Sequence, residues 1–140
     1  MEPAAQSGVT LIELLVVTVI VGILAAIAYP SYRQQVMRSK RTDAKVALQQ
    51  AAQSLENCFT RYHRYDDEDN CDIVATLKGA GIVSNDGNYK VTGELDGLTF
   101  TLTATLQGGQ AADTGCGNFT LDQSNHPGVS GSKGVAECWK

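Results

Sequence analysis

The sequence predicts an α+β protein in which one long N-terminal helix packs on a small antiparallel sheet. Three observations lead to this prediction. An apolar run of 24 residues extends from Val9 to Tyr32, an amphipathic helical pattern follows it, and a strictly alternating strand pattern occupies residues 98–106. The 140 residues are enough for one modest domain and too few for two.

The apolar run is long enough to cross a membrane. It contains 13 Val, Ile or Leu residues and one charged residue, Glu13. As a helix it would span roughly 36 Å, compared with a hydrocarbon core of about 30 Å. The transfer free energy of its aliphatic side chains outweighs the penalty for one carboxylate. We therefore expect residues 9–32 to form a transmembrane helix, in which Glu13 needs a partner.

A competing interpretation of the run is an ordinary secretory signal peptide, with Ala26-Ile27-Ala28 as its cleavage site. Such a peptide carries positive charge before its apolar region, and Met1–Gly8 contains no Lys or Arg. Glu13 inside the run also argues against it.

Past Pro30 the helical pattern persists but becomes amphipathic. Apolar residues recur at intervals of three and four and form one stripe, which comprises Ala44, Leu48, Ala51, Ala52, Leu55 and Phe59. Because neither Gly nor Pro occurs from Ser31 to Thr60, we predict one near-continuous helix from about Thr10 to Phe59. The basic stretch Arg33–Lys45 is predicted to be a solvated helix face. The alternatives are pairing with acids of neighbouring molecules and contact with lipid headgroups.

The alternating pattern predicts the sheet. Leu98, Phe100, Leu102, Ala104 and Leu106 alternate with threonines, and Tyr89, Val91 and Leu95 precede them with similar spacing. Asp96-Gly97 between the two runs predicts a two-residue type I′ hairpin turn. A third strand is predicted at Gly117–Asp122, with Phe119 and Leu121 facing inward.

Residues 60–85 show no clear period. Asp66–Asp72 contains five acids in seven positions. A calcium loop would need a glycine turn after alternating oxygen ligands, which is missing here. We predict an exposed surface loop and no metal site.

Four cysteines, Cys58, Cys71, Cys116 and Cys138, lack the spacing of zinc ligands. An even count in a small exported head predicts disulfides. Three pairings are possible, and we favour the two local ones, Cys58–Cys71 and Cys116–Cys138. In the chain-entropy model, loops of this length contribute on the order of 3 kcal/mol each.

The segment Gly8-Val9-Thr10-Leu11-Ile12-Glu13-Leu14-Leu15 closely resembles the prepilin signature of type IV pilins. The resemblance implies that a prepilin peptidase cuts between Gly8 and Val9, which makes residues 1–8 a leader, and that the amine of Val9 is methylated. It also assigns Thr10 and Glu13 to filament assembly. Glu13, on the same helical face as Val9, would pair with the terminal amine of a neighbouring subunit.

Two departures from the signature stand out. Val9 occupies a position where the family more often has phenylalanine, although the family tolerates other apolar residues. A prepilin leader also usually carries a basic residue, which Met1–Gly8 lacks. This suggests that the natural start lies upstream of Met1.

The C-terminal segment, from Cys116-Gly117-Asn118-Phe119 to Cys138-Trp139, resembles the disulfide-bounded loop of type IV pilins, and PilE-like minor pilins in particular. The implied fold is the type IV pilin fold, with residues 33–140 forming the amphipathic half of the helix and a globular head. The implied location is the inner membrane, with a single pass and a periplasmic head, and then an extracellular pilus filament.

The implied function is that of a structural subunit, a minor pilin, which supports pilus assembly, twitching motility and adhesion. Its partners would be other pilin subunits, the prepilin peptidase and the inner-membrane assembly platform. No catalytic constellation or cofactor motif is present, so we predict neither an enzyme nor a cofactor. The alternatives are a DNA-uptake or adhesive pilin and a type II secretion pseudopilin. A net charge of −4 argues against nucleic acid as a partner.

Overall fold

A computed structural model describes residues 8–140. Of the predicted leader, residues 1–7 therefore lie outside the described part of the chain. The chain divides into two compact units, residues 8–36 and Met37–Lys140. The elements are, in order, helix α1 (Leu11–Tyr62), helix α2 (Asp72–Lys78), strands β1 (Ile82–Val83), β2 (Tyr89–Leu95) and β3 (Phe100–Leu106), a 3-10 helix (Gly108–Ala112), strands β4 (Phe119–Asp122) and β5 (Pro127–Val129), and helix α3 (Val135–Cys138).

The first unit is the N-terminal part of α1. From Val9 to Tyr32 its large apolar side chains are all exposed, from 47% for Val16 to 85% for Leu11. Helix α1 is also long and apolar enough to cross a membrane. An apolar surface of this extent requires cover by lipid or by other protein. The exposed apolar residues 9–32 therefore fit a segment that lies in a membrane or within an assembly.

The second unit contains the hydrophobic core, to which α1 contributes one face. The predicted stripe is confirmed: Ala44, Leu48, Ala51 and Leu55 are buried, and Ala52 and Phe59 are partly buried. They join one cluster with inward side chains of three strands, namely Tyr89, Val91, Phe100, Leu102, Ala104, Phe119 and Leu121. The helix therefore packs on the apolar face of the sheet, as the amphipathic and alternating patterns predicted.

The sheet has five antiparallel strands in the order β1-β2-β3-β4-β5. The predicted strands β2, β3 and β4 are confirmed within two residues at their ends. Both edge strands are very short, with two residues in β1 and three in β5. Neither carries the alternation over four or more residues that marks a strand in a sequence.

The predicted two-residue turn at Asp96-Gly97 is wrong. Leu95 pairs with Phe100, so a four-residue loop connects β2 to β3. The longer loop lets the Tyr65 backbone N–H donate to the carbonyl of Gly97 at 3.1 Å. It also leaves Leu98, which was expected in the strand, 71% exposed. The register differs from the predicted one by two residues, an even number, so the inward face of β3 is unchanged.

Two disulfides connect the helices to the rest of the head. Cys58 near the end of α1 pairs with Cys71 just before α2, and Cys116 before β4 pairs with Cys138 in α3. Beside the second disulfide, the Trp139 indole N–H donates to the carbonyl of Gly128 in β5 at 3.1 Å. The end of the chain is thus fixed to β5 through Trp139 and to the residue before β4 through Cys138.

Candidate functional site

The structure places Gly8, Val9, Thr10 and Glu13 at the start of α1. The Thr10 hydroxyl accepts a hydrogen bond from the Glu13 backbone N–H at 3.3 Å, and the Thr10 backbone N–H donates to the Glu13 carboxylate at 3.5 Å. This reciprocal arrangement is that of a helix capping box. Val9 is 74% exposed. Within the described residues Glu13 has no cationic partner, so its negative charge is available to another chain.

A buried ion pair lies where α1 enters the head. Arg41 donates through Nε to Asp113 Oδ2 at 2.6 Å and through Nη2 to Asp113 Oδ1 at 2.9 Å. The side chains are 8% and 4% exposed. These hydrogen bonds raise the pKa of Arg41, in spite of its burial. The prediction of a solvated basic face was therefore wrong for Arg41, which pairs with an acid of its own chain.

Asp43, two residues further along α1, organises the turn before β2. Its carboxylate accepts hydrogen bonds from the Ser84 hydroxyl at 2.5 Å, from the backbone N–H groups of Asp86 and Asn88, and from the Asn88 side chain. Burial by itself would raise the pKa of Asp43, but these hydrogen bonds outweigh it and lower the pKa. Asp43 thus stays ionised and holds the turn against the helix.

Basic side chains converge between α1 and the C-terminal segment, where they line a cleft of about 510 Å³. We call this the basic cleft. Its lining comprises Arg38, Arg41 and Lys45 from successive turns of α1, and Lys133, Ala136, Glu137, Cys138 and Lys140 from the C-terminal segment. The Cys116–Cys138 disulfide therefore forms part of its wall.

Charges in the basic cleft are unbalanced. Asp113 neutralises Arg41, which leaves four cationic side chains against Glu137. Lys133 contacts Glu137 at 3.3 Å, and Lys45 Nζ donates to the main-chain oxygen of Lys140 at 2.6 Å. Burial, and secondly the charge of Arg41, lower the pKa of Lys45. A positive potential of this kind attracts anions, and phosphate groups in particular.

Comparison with known proteins identifies the family. Residues 30–120 match the family model described as type IV minor pilin ComP, DNA uptake sequence receptor. Residues 3–29 match the prokaryotic N-terminal methylation motif. This chain belongs to the type IV pilins. The predicted resemblance is confirmed, and the family is one of structural subunits that assemble into filaments.

Curated relatives of this type IV pilin match part of the chain. The type IV major pilin protein PilA of Myxococcus xanthus (strain DK1622) is 43% identical over 60 residues, 43% of this chain and 27% of that protein. The type IV major fimbrial protein FimA of Dichelobacter nodosus is 43% identical over 54 residues, 39% of this chain and 35% of that protein. The chain thus spans about a quarter to a third of the length of these relatives.

A solved structure supports the pilin fold. A type IV pilin from Shewanella oneidensis superposes with a TM-score of 0.51 over 74% of this chain and 98% of that chain, at 24% identity. The predicted fold class is thereby confirmed: a long N-terminal helix, an antiparallel sheet and a C-terminal loop bounded by a disulfide. The prepilin motif and the apolar helix fit a pilin that is anchored in a membrane and then enters a filament.

Sequence reasoning missed the basic cleft of this pilin. Lys133 and Lys140 lie about 90 residues from Lys45 in the sequence, so no local pattern connects them. Asp66–Asp72 was predicted to be an exposed loop. In the structure three of its acids have local partners: Asp66 pairs with Arg64, Glu68 pairs with Lys78, and Asp67 binds Asn70. Among residues 8–140, no three His, Cys, Asp or Glu side chains are grouped so that they could hold a metal ion.

Proposed function

We propose that this type IV pilin is a minor subunit that binds DNA through the basic cleft. The observation that carries this proposal is the convergence of four cationic side chains on one concavity of about 510 Å³, where Glu137 is the acid that opposes them. The description of the matching family as a DNA uptake sequence receptor supports it. The proposal therefore adopts the alternative that the overall charge of −4 had disfavoured, because affinity for phosphates depends on the local charge.

The cleft has the chemistry of a phosphate-binding surface. Lysine and arginine side chains neutralise phosphates and release their counterions, which supplies much of the affinity of proteins for DNA. Such contacts position the duplex but carry no sequence information. The basic cleft would thus provide affinity and orientation, and any sequence preference would come from groups around it.

A salt titration of full-length protein tests the proposal. We would measure binding of a fluorescent DNA duplex to the pilin in detergent micelles, using fluorescence anisotropy. Lys45→Gln and Lys133→Gln should each weaken binding and lower the slope of log affinity against log salt by about one. Glu137→Gln should strengthen binding, because it removes the acid that opposes the cations.

Lys78→Gln is the matched control, because Lys78 lies outside the cleft and pairs with Glu68 at 2.8 Å. It should leave both affinity and salt slope unchanged. Unchanged binding by the two lysine variants of the cleft would refute the proposal. So would a reduction of equal size in the Lys78 variant.

We also propose how the subunit joins the filament. After cleavage between Gly8 and Val9 and methylation of Val9, the new amine of one subunit pairs with the Glu13 carboxylate of a neighbour, and Thr10 caps the helix that carries it. Each charge is unfavourable by itself among apolar side chains, whereas pairing removes both penalties. The pair forms only when the two neighbouring helices lie in one register, so it also sets that register. The exposed apolar residues 9–32 support this arrangement, and so does Glu13, which has no cationic partner among residues 8–140. Twitching motility and adhesion would follow from filament membership.

The processing step has its own test. Gly8→Leu should block the prepilin peptidase and leave a heavier, membrane-bound precursor that mass spectrometry detects. A Gly8→Ala variant is the milder control, because it adds a single methyl group at the cleavage site. Mature mass in the Leu variant would contradict the assigned cleavage position.

A further inference from the structure

A second concavity of the head, separate from the basic cleft, lies between α1 and the end of β4. Its volume is about 400 Å³. Four amide side chains line it, two from α1 and two from the turn after β4: Gln49, Gln53, Gln123 and Asn125. We call it the amide groove. Ala52, Phe100 and Leu121 supply an apolar floor.

The amides of this groove are largely free to bind a ligand. Gln49 and Gln53 are four residues apart on one face of α1 and are exposed. Neither makes a side-chain hydrogen bond with the described part of the chain. Gln123 Oε1 accepts from the Phe100 backbone N–H at 3.3 Å, which leaves its NH₂ group without a partner there. The position of Asn125 is fixed by its backbone N–H, which donates to the backbone carbonyl of Asp122 at 2.9 Å.

The charge of the amide groove is opposite to that of the basic cleft. Glu56 and Asp122 are its ionisable lining residues, and no Lys or Arg in the described part of the chain lines it. Glu56 accepts a hydrogen bond from the Tyr65 hydroxyl at 2.8 Å, and Asp122 accepts from the backbone of Ser124 and His126. Both carboxylates would repel a phosphate or sulfate. DNA therefore does not suit this groove.

We propose that the amide groove binds an uncharged oligosaccharide. A side-chain amide presents two N–H donors and a carbonyl acceptor in one plane, so it can engage neighbouring hydroxyl groups of a sugar as donor and acceptor together. The two carboxylates accept further hydroxyl donors, and the apolar floor receives the C–H face of a ring. The volume lies in the range of small-ligand sites, roughly 300–1,000 Å³. This site is additional to the DNA-binding cleft and does not depend on it.

The test is a binding titration with defined sugars. Full-length protein in micelles of a detergent without sugar headgroups would be titrated with cellotetraose, maltotetraose, the tetramer of N-acetylglucosamine and a heparin tetrasaccharide, using saturation-transfer NMR. At least one of the neutral sugars should saturate with a Kd of about 0.1–1 mM, while the heparin fragment should not compete with it. Gln53→Ala and Asn125→Gly should each weaken binding by about 3- to 10-fold.

The variants are chosen to preserve the fold. Gln53 is exposed, and glycine accommodates the φ of 59° that Asn125 adopts. Gln50→Ala is the matched control, because Gln50 is an exposed glutamine of α1 outside the groove. It should bind the sugar as the wild type does. DNA affinity should be the same in all three variants, which separates this test from that of the basic cleft.

Three results would overturn the proposal. The first is that none of the neutral sugars saturates at concentrations up to about 10 mM. The second is binding that is equal in wild type, Gln53→Ala and Asn125→Gly. The third is self-association that Gln53→Ala abolishes while no sugar binds, which would make the groove a contact between copies of this chain.

Discussion

Arg41 and Asp113 form a bidentate ion pair between residues that are 72 positions apart in the chain. The pair connects α1 to the residue that follows the 3-10 helix Gly108–Ala112. Because Arg41 also lines the basic cleft, the same contact fixes one wall of the candidate DNA site. The stability of the head and the geometry of the cleft are therefore coupled through this pair.

Removing one partner of this pair should destabilise the head strongly. Arg41→Ala leaves Asp113 as an uncompensated buried charge, and we expect a loss of about 3–5 kcal/mol in the free energy of unfolding. The measurement is urea unfolding followed by circular dichroism on full-length protein in micelles. Arg38→Ala, which removes an exposed cation one turn earlier, is the control and should change stability by less than about 0.5 kcal/mol.

A double variant separates the charge from the packing. Arg41→Met combined with Asp113→Leu removes both charges together and should recover much of the lost stability. If the single Arg41 variant unfolds at the same urea concentration as the wild type, the pair contributes nothing to stability. The head would then be held by its hydrophobic core and disulfides.

Asp43 should make the head sensitive to acid. Its pKa is lowered in the folded state, so its contribution to stability is complete above the unfolded-state pKa of about 4 and is lost as the pH falls below that value. At pH 7, Asp43→Asn should reduce the free energy of unfolding by about 2 kcal/mol. The difference between variant and wild type should shrink below about pH 4.

Unfolding curves at a series of pH values would measure this difference. Asp69→Asn, a change at an exposed acid outside this network, is the control and should track the wild type throughout. A difference between Asp43→Asn and wild type that stays constant down to the lowest pH would contradict the ionic role of Asp43. It would then indicate a purely steric effect.

Patterns of local spacing explain which parts of the fold the sequence could predict. The stripe from Ala44 to Leu55 and the alternation from Phe100 to Leu106 are both periodic within one element, and both were placed correctly. Arg41 continues the same stripe, three residues before Ala44. Arg41 was nevertheless predicted to lie on a solvated face, and no local rule selects Asp113 as its partner among the 15 acids of the chain.

The two candidate sites and the hairpin loop depend on contacts between distant segments. The basic cleft forms where the segment around Cys138, which is bonded to Cys116, lies beside α1. The four-residue hairpin loop depends on Tyr65, about 30 residues earlier, which binds Gly97. Turn propensity alone favoured the shorter loop at Asp96-Gly97. Tertiary contacts overrode that preference.

The two disulfides should have different functional effects. Replacing either pair by alanines should lower stability by about 3 kcal/mol, through the entropy of the unfolded chain. Only the loss of Cys116–Cys138 should weaken DNA binding as well, because it frees the segment that carries Lys133 and Lys140. The Cys58–Cys71 variant is the matched control. Equal DNA affinity in both variants would show that this disulfide does not shape the cleft.

Glu13 offers a test that separates two roles of one carboxylate. The structure gives it a local role, since it accepts from the Thr10 backbone N–H in a capping box. The filament proposal gives it a second role, as the charge that pairs with the methylated amine of a neighbour. A glutamine can still serve in a capping box but carries no charge, so Glu13→Gln retains the first role and loses the second. Glu13→Ala loses both.

We therefore expect both Glu13 variants to insert in the membrane as well as the wild type or better, because each removes a charge from an apolar segment. Both should be depleted from sheared pili by a similar factor, measured as the ratio of subunit in the fibre fraction to subunit in the membrane fraction. If Glu13→Gln enters fibres normally while Glu13→Ala does not, the carboxylate acts through the helix start. Assembly would then require the Thr10 cap rather than a pair of charges between subunits.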